Sequence, residues 1–133
     1  MTYMLDTNIC IYYIKNKPPQ VMTAFHTHRH EGICISSITL AELEHGVAAS
    51  AFPQKNTDAL NQFLAIVEVL PFDNDAAHYY GSVRAHLKKQ PIGSLDMLIA
   101  SHALSQKLTL VTNNEREFTR IQGLTIENWT TIQ

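Results

Sequence analysis

Five residues of this chain are of types that do chemistry at a phosphate when they are brought together: Asp6, Glu42, Asp96, Asn114 and Glu117. Carboxylates gathered at one place repel one another unless hard cations neutralise them. Magnesium accepts a few carboxylate oxygens and keeps waters for a phosphate substrate. One or two such ions activate a water and stabilise the charge that develops in a displacement at phosphorus. Each residue also has an ordinary explanation. Asp6 and Asp96 are good helix caps, and an acid early in a helix compensates the macrodipole.

The elements that carry these residues decide between the two readings. Tyr3-Met4-Leu5 reads as a short buried strand running directly into Asp6 and a helix over 7–16, with Ile9, Tyr12 and Tyr13 at helical spacing. A second helix follows Pro18-Pro19, with Val21, Ala24 and Phe25 inward. Ile33-Cys34-Ile35-Ser36, bounded by Gly32, is the next strand. Ser37 or Thr39 is expected to cap a helix over about 40–50 that puts Glu42 in its first turn, while Glu44 points elsewhere and is solvated. An amphipathic helix over 54–67, a short strand near 69–72 and a long helix opened by Asp73-Asn74-Asp75 come next. Pro91 and Gly93 end that helix. Ser94 is then expected to cap an almost wholly apolar helix with Asp96 in its first turn, where a carboxylate is costly unless paired, hydrogen-bonded or on a metal. The strand Leu108-Thr109-Leu110-Val111-Thr112 delivers Asn113-Asn114, with Glu117 a turn later. Thr125-Ile126-Glu127 is a candidate edge strand, and Trp129 packs the tail down.

Strands alternating with helices predict an α/β fold with a mostly parallel sheet. Crossovers of one hand then line up Asp6, Glu42, Asp96, Asn114 and Glu117 along one sheet edge, the edge where open α/β sheets bind ligands.

Composition bounds the rest. The 133 residues fit a single domain, 1–133, with 45% hydrophobic and 17% charged residues, an ordinary folded globule. A formal net charge of −2 supplies no basic surplus for holding a polyanion, so metal ions or a local basic cluster must offset the repulsion. No signal-peptide pattern precedes Cys10 and Cys34 and no apolar run spans a membrane, so a soluble protein with free thiols in a reducing cytoplasm is expected. The histidines of His26-Thr27-His28-Arg29-His30 share a face only in a strand. Beside a helical pattern they read as a solvated helix end, and neither they nor His102 has a carboxylate or cysteine at ligand spacing.

The runs Met4-Leu5-Asp6-Thr7-Asn8, Ser36-Ser37-Ile38-Thr39-Leu40-Ala41-Glu42-Leu43, Ile92-Gly93-Ser94-Leu95-Asp96-Met97-Leu98-Ile99-Ala100 and Leu110-Val111-Thr112-Asn113-Asn114-Glu115-Arg116-Glu117-Phe118 resemble the PIN-domain ribonucleases, most nearly the VapC toxins of bacterial toxin–antitoxin pairs. The match runs in order along nearly the whole chain and ends at Gly123-Leu124 and Glu127-Asn128-Trp129. It implies a three-layer α/β/α fold and a hydrolase cleaving one RNA phosphodiester to 3′-hydroxyl and 5′-phosphate ends. Asp6, Glu42 and Asp96 are then the acids holding Mg²⁺ or Mn²⁺. Many PIN domains carry a fourth aspartate where this chain has Asn114, which accepts a hydrogen bond or ligates weakly, leaving Glu117 as a source of the missing charge. The resemblance further implies a structured RNA substrate, transfer RNA foremost, a homodimer, and a cognate VapB-type antitoxin through which the pair binds operator DNA. Lys15, Lys17, Arg84, Lys88, Lys89, Arg116 and Arg120 are candidate phosphate contacts. A PIN-like RNA- or protein-binding module with an impaired site is the alternative. A phosphotransfer domain fits less well, because it wants a second carboxylate close after Asp6 and a lysine near Thr112.

Overall fold

The computed structural model describes residues 1–131. The β-branched and apolar runs form five strands: β1 (Tyr3–Leu5), β2 (Ile33–Ser36), β3 (Glu68–Leu70), β4 (Thr109–Val111) and β5 (Ile126–Glu127). They lie in the order β3-β2-β1-β4-β5, and all four pairings are parallel. The helices are α1 (Thr7–Lys15), α2 (Pro19–His28), α3 (Ser37–Ala48), α4 (Pro53–Leu64), α5 (Asn74–His86), α6 (Ser94–Gln106) and α7 (Glu115–Phe118).

Side-chain alternation along the central strands divides the interior into two cores, as a sheet buried on both faces requires. Tyr3, Leu5, Ile33, Ile35 and Val111 face α1, α2, α3 and α4 through Ile9, Phe25, Leu43 and Phe63. Met4, Cys34 and Leu110 face α5, α6 and α7 through Val83, Met97, Ile99 and Phe118. The result is helix, sheet and helix in three layers. The chain builds outward from β1 through β2 to β3, then returns to the other side of β1 as β4 and β5. The reversal falls between β1 and β4, and the crevice beyond the carboxyl ends of two such strands is where open α/β sheets bind ligands.

Several boundaries differ from those expected. The last residue of β2, Ser36, caps α3 by accepting from the Ile38 amide at 3.1 Å, so neither Ser37 nor Thr39 serves. The Ser37 hydroxyl instead accepts from the Phe72 amide at 3.0 Å. Gly93 occupies the cap position of α6 with no side-chain bond, and Ser94 is the first helical residue. Of the histidine run, His26 and His30 are exposed, but His28 stacks on Trp129 with ring centroids 5.4 Å apart and meets Glu31 at 2.7 Å. Trp129 also packs edge-on against Tyr3 in the central strand, which ties the tail to the first strand. Cys10 and Cys34 are buried free thiols, and no helix among the described residues is long and apolar enough to cross a membrane.

Candidate active site

Asp6 follows the last residue of β1, and its amide donates to the Val111 carbonyl at 3.0 Å, continuing the pairing with β4 into the crevice. Its carboxylate caps α1 by accepting from the Ile9 amide at 3.0 Å. Capping and chemistry are therefore not alternatives here, since the cap engages Oδ1 and the group still faces the other acids. Burial pushes the Asp6 carboxyl up to about 6 although hydrogen bonds from Thr112 and Ile9 pull it down, and Asp96 and Glu42 add to the rise.

Glu42 comes from α3. Because that helix begins at Ser37 rather than near Leu40, Glu42 lies in the second turn, and the first turn holds no acid. Dipole compensation, which fades within a turn, no longer accounts for it. The Thr7 hydroxyl donates to Glu42 Oε1 at 2.6 Å, fixing the carboxylate beside the start of α1. Glu44 is exposed on another face of the helix, as its spacing implies.

Asp96 stands in the first turn of α6, half-buried, and burial raises its carboxyl while Glu42 and Glu117 push it the same way. Glu117 reaches this neighbourhood from α7 and is held by Arg120 at 3.3 Å. Arg120 also donates to the Gln90 carbonyl, joining α7 to the loop before α6. Asn114 precedes α7 and its amide donates to the Thr112 hydroxyl at 2.9 Å, while its side chain does not cap the helix. Thr112 thus serves both Asp6 and Asn114 from a fully buried position.

The charges of Glu42 and Asp96 both bear on Asp6, and those of Glu42 and Glu117 bear on Asp96. Thr7 and Thr112, which hold two of these acids, carry no signal in the sequence beyond adjacency to a strand end. Their contacts to residues 42 and 6 span the fold. The donor set is all oxygen, the chemistry of a hard cation. Among the described residues no three acids, histidines or cysteines are drawn into a closed ligand set. An open group of repelling carboxylates suits an ion that takes few protein oxygens and keeps its waters, and magnesium and manganese fit it.

The profile of the PIN domain matches residues 3–124. The chain belongs to the PIN-domain family. Similar to it along 131 residues, at 45% identity, is a tRNA(fMet)-specific endonuclease VapC of Shigella flexneri, with 97% of this chain and 98% of the relative covered. The VapBC2 complex of Rickettsia felis bound to a promoter DNA fragment superposes with a TM-score of 0.92 at 43% identity, covering 97% of this chain and 99% of that one. The DNA-bound VapBC of Salmonella typhimurium gives 0.91 at 46%, covering 97% and 98%. Within the PIN family it falls among the VapC proteins, and the three-layer parallel architecture is the one its resemblance implied.

Proposed function

We propose that this PIN-domain protein is a metal-dependent endoribonuclease toxin that cleaves a transfer RNA in the cytoplasm and is silenced by a VapB-type antitoxin. The observation that carries the reading is the meeting of three carboxylates at the β1–β4 reversal, where Asp96 and Glu42 add to the rise of the Asp6 carboxyl and Glu42 adds to that of Asp96. These three would hold Mg²⁺ or Mn²⁺. A bound divalent ion there supplies charge neutralisation at phosphorus and makes water acidic enough to attack at neutral pH. Thr7 holds Glu42 and Thr112 holds Asp6, so the two carboxylates meet the cation already oriented. Asn114 and Glu117 flank the site from the far side of Thr112 and tune its charge. In the reaction a water oxygen bonds to phosphorus, the P–O3′ bond breaks, and the departing oxygen takes up a proton.

The relatives' names supply the finer detail. Initiator tRNA is the leading substrate by similarity to the Shigella protein. The DNA-bound VapBC complexes, one of them on a promoter fragment, support an antitoxin partner that carries the pair to its operator. An apolar groove of about 300 Å³ lined by Ile11, Ile14, Leu43, Val47 and Leu60 opens beside Glu42 and suits an antitoxin segment laid toward the acids. The test is incubation of the purified protein with total tRNA and with initiator tRNA, with and without EDTA. Cleavage at one position, abolished by EDTA and restored by magnesium, is expected. Intact tRNA in magnesium with a folded protein overturns the reading.

A further inference from the structure

The acidic edge of a protein with net charge −2 poses a problem for any RNA, because a metal ion neutralises only the phosphate at the reaction. The candidate cations are not equivalent. Arg120 is engaged by Glu117 and the Gln90 carbonyl, and Arg84 by the Tyr80 hydroxyl at 3.1 Å. Lys15 and Lys17 are exposed and make no ion pair among the described residues. Lys15 ends α1, where a cation suits the helix dipole, but Lys17 lies beyond the cap residue Asn16 and the dipole does not explain it.

Both lysines border an open cleft of about 470 Å³ whose other walls are Tyr12, Pro18, Asn113 and Thr130. Two elements lead from the cleft to the acids. Asn113 directly follows Thr112, which serves Asp6, and α1, capped by Asp6, carries the chain about 13 Å from that cap to Lys15 at 1.5 Å per residue. The Asn113 amide is held in place: its Oδ1 accepts from Thr130 Oγ1 at 2.9 Å and Asn128 Nδ2 at 3.3 Å, and its Nδ2 donates to the Tyr12 hydroxyl at 3.4 Å. Glu115, an acid on this flank, is engaged by Asn128 at 3.0 Å. The Tyr12 ring is half-buried, so its inner face is fixed by packing.

We infer that the ledge formed by Tyr12, Asn113 and Thr130, with Lys15 and Lys17 at its rim, is a nucleotide subsite for an unpaired residue of the RNA beside the scissile phosphate. A fixed aromatic ring offers a stacking face to any base. The held amide has both Oδ1 positions filled and presents its remaining Nδ2 hydrogen to an acceptor on a base edge. Two unpaired ammonium groups take the flanking phosphates. This assignment rests on the ribonuclease reading and adds the path the strand follows away from the acids.

The experiment has two readouts. Affinity for fluorescent tRNA is measured across a salt series in the Asp6→Asn background, where magnesium keeps the RNA folded and uncut, and steady-state cleavage is measured in the otherwise unaltered protein. Lys15→Gln combined with Lys17→Gln is expected to lower the slope of log affinity against log salt by roughly 1.4–1.8, from about 0.7–0.9 per phosphate contact. KM for cleavage rises with it, while the rate at saturating RNA stays within about twofold, because neither lysine touches the acids. Tyr12→Leu weakens binding about tenfold with the salt slope unchanged, whereas Tyr12→Phe, which keeps the ring and gives up only the 3.4 Å contact to Asn113, loses less than Tyr12→Leu. Lys107→Gln, at the opposite end of the sheet before β4, changes neither quantity. A lysine double variant with the parent's slope and KM overturns the ledge, as does an equal loss in Lys107→Gln. Failure of the unaltered protein to cleave any RNA removes the ribonuclease reading itself, whereas an active parent with indifferent variants removes the ledge alone.

Discussion

The Thr7 hydroxyl donates a 2.6 Å hydrogen bond to Glu42 Oε1, joining the first turn of α1 to the second turn of α3 across 35 residues of chain. Bonds from neutral donors to charged acceptors are the stronger kind, and this one sets the direction in which Glu42 presents its free oxygen. Thr7→Val keeps the branched shape and removes the donor. It is expected to reduce kcat/KM about tenfold, which corresponds to about 1.4 kcal/mol, and to raise the magnesium needed for half-maximal cleavage. Thr7→Ser should stay close to the parent. Equal metal requirements for Thr7→Val and the parent would remove Thr7 from the positioning of Glu42.

Asp6→Asn should abolish cleavage, by roughly a thousandfold or more, while the fold survives, because asparagine caps a helix as well as aspartate does. The same variant should be the more stable protein without metal at pH 7. The Asp6 carboxyl sits at about 6 in the fold against 3.8 in the open chain, so its protonated form is favoured by folding. That contribution is fully present below the unfolded value and is lost as pH rises through about 6, a span of about 3 kcal/mol at 1.36 kcal/mol per unit. Melting of the EDTA-treated parent should therefore decline between pH 4 and pH 7 more steeply than that of Asp6→Asn. Parallel declines would place the proton elsewhere.

Asn114 carries no charge where the resemblance implied a fourth acid, and the charge available on that side comes from Glu117, itself shared with Arg120. One tight divalent ion is expected in the free protein, with a second recruited by the substrate phosphate. Asn114→Asp should lower the magnesium concentration for half-maximal cleavage, Glu117→Gln should raise it, and exposed Glu44→Gln should leave it unchanged. Metal titrations of cleavage read all three. A shift in Glu44→Gln without one in Glu117→Gln would reverse the arrangement of acids described above.

His102 is fully buried on α6, with Nδ1 2.8 Å from the Ser36 hydroxyl that caps α3 and Nε2 without a partner among the described residues. Burial lowers its pKa from 6.5, with Asp73 opposing. The stability this neutral ring contributes is present above 6.5 and is lost as pH falls through 6.5 toward the lower folded value. Asp6 has the opposite sign, so the effect is cleanest where Asp6 is already asparagine. Thermal melts of Asp6→Asn should fall from pH 7 to pH 5, and adding His102→Asn should flatten that fall. A double variant with the slope of the single one would exclude His102 as the titrating group.

How much of this was legible in the sequence follows from the range of each interaction. Asp6 and Asp96 announce themselves locally, one ending a buried strand and the other alone in an apolar helix. The parallel sheet is legible because short β-branched runs alternate with helical ones. Glu42 was harder. Ser36 is both the last residue of β2 and the cap of α3, and a pattern that gives each residue one role starts the helix late and puts Glu42 a turn too early. Thr7, Thr112 and His102 were not legible as parts of the site's support, because each acts on a residue that only the fold brings near. Lys15 and Lys17 lie close together in the sequence, but their meeting with Asn113 and Thr130 was not legible, since these come from the other end of the chain.

The strand order also governs when during synthesis the acids can come together. β1 is the first strand synthesised and the centre of the sheet, yet its neighbour on the site's side is β4, about a hundred residues later. A nascent chain that has emerged through β3 carries Asp6 and Glu42 but neither Asp96 nor Thr112, and β1 then has an unsatisfied edge. At about 5–20 residues per second the missing parts take several seconds more to appear. The acids therefore meet only when translation is nearly complete, and the tail residue Trp129 closes onto Tyr3 last of all. A ribosome that stalls between β3 and α6 therefore releases a chain that has Asp6 and Glu42 without Asp96 or Thr112.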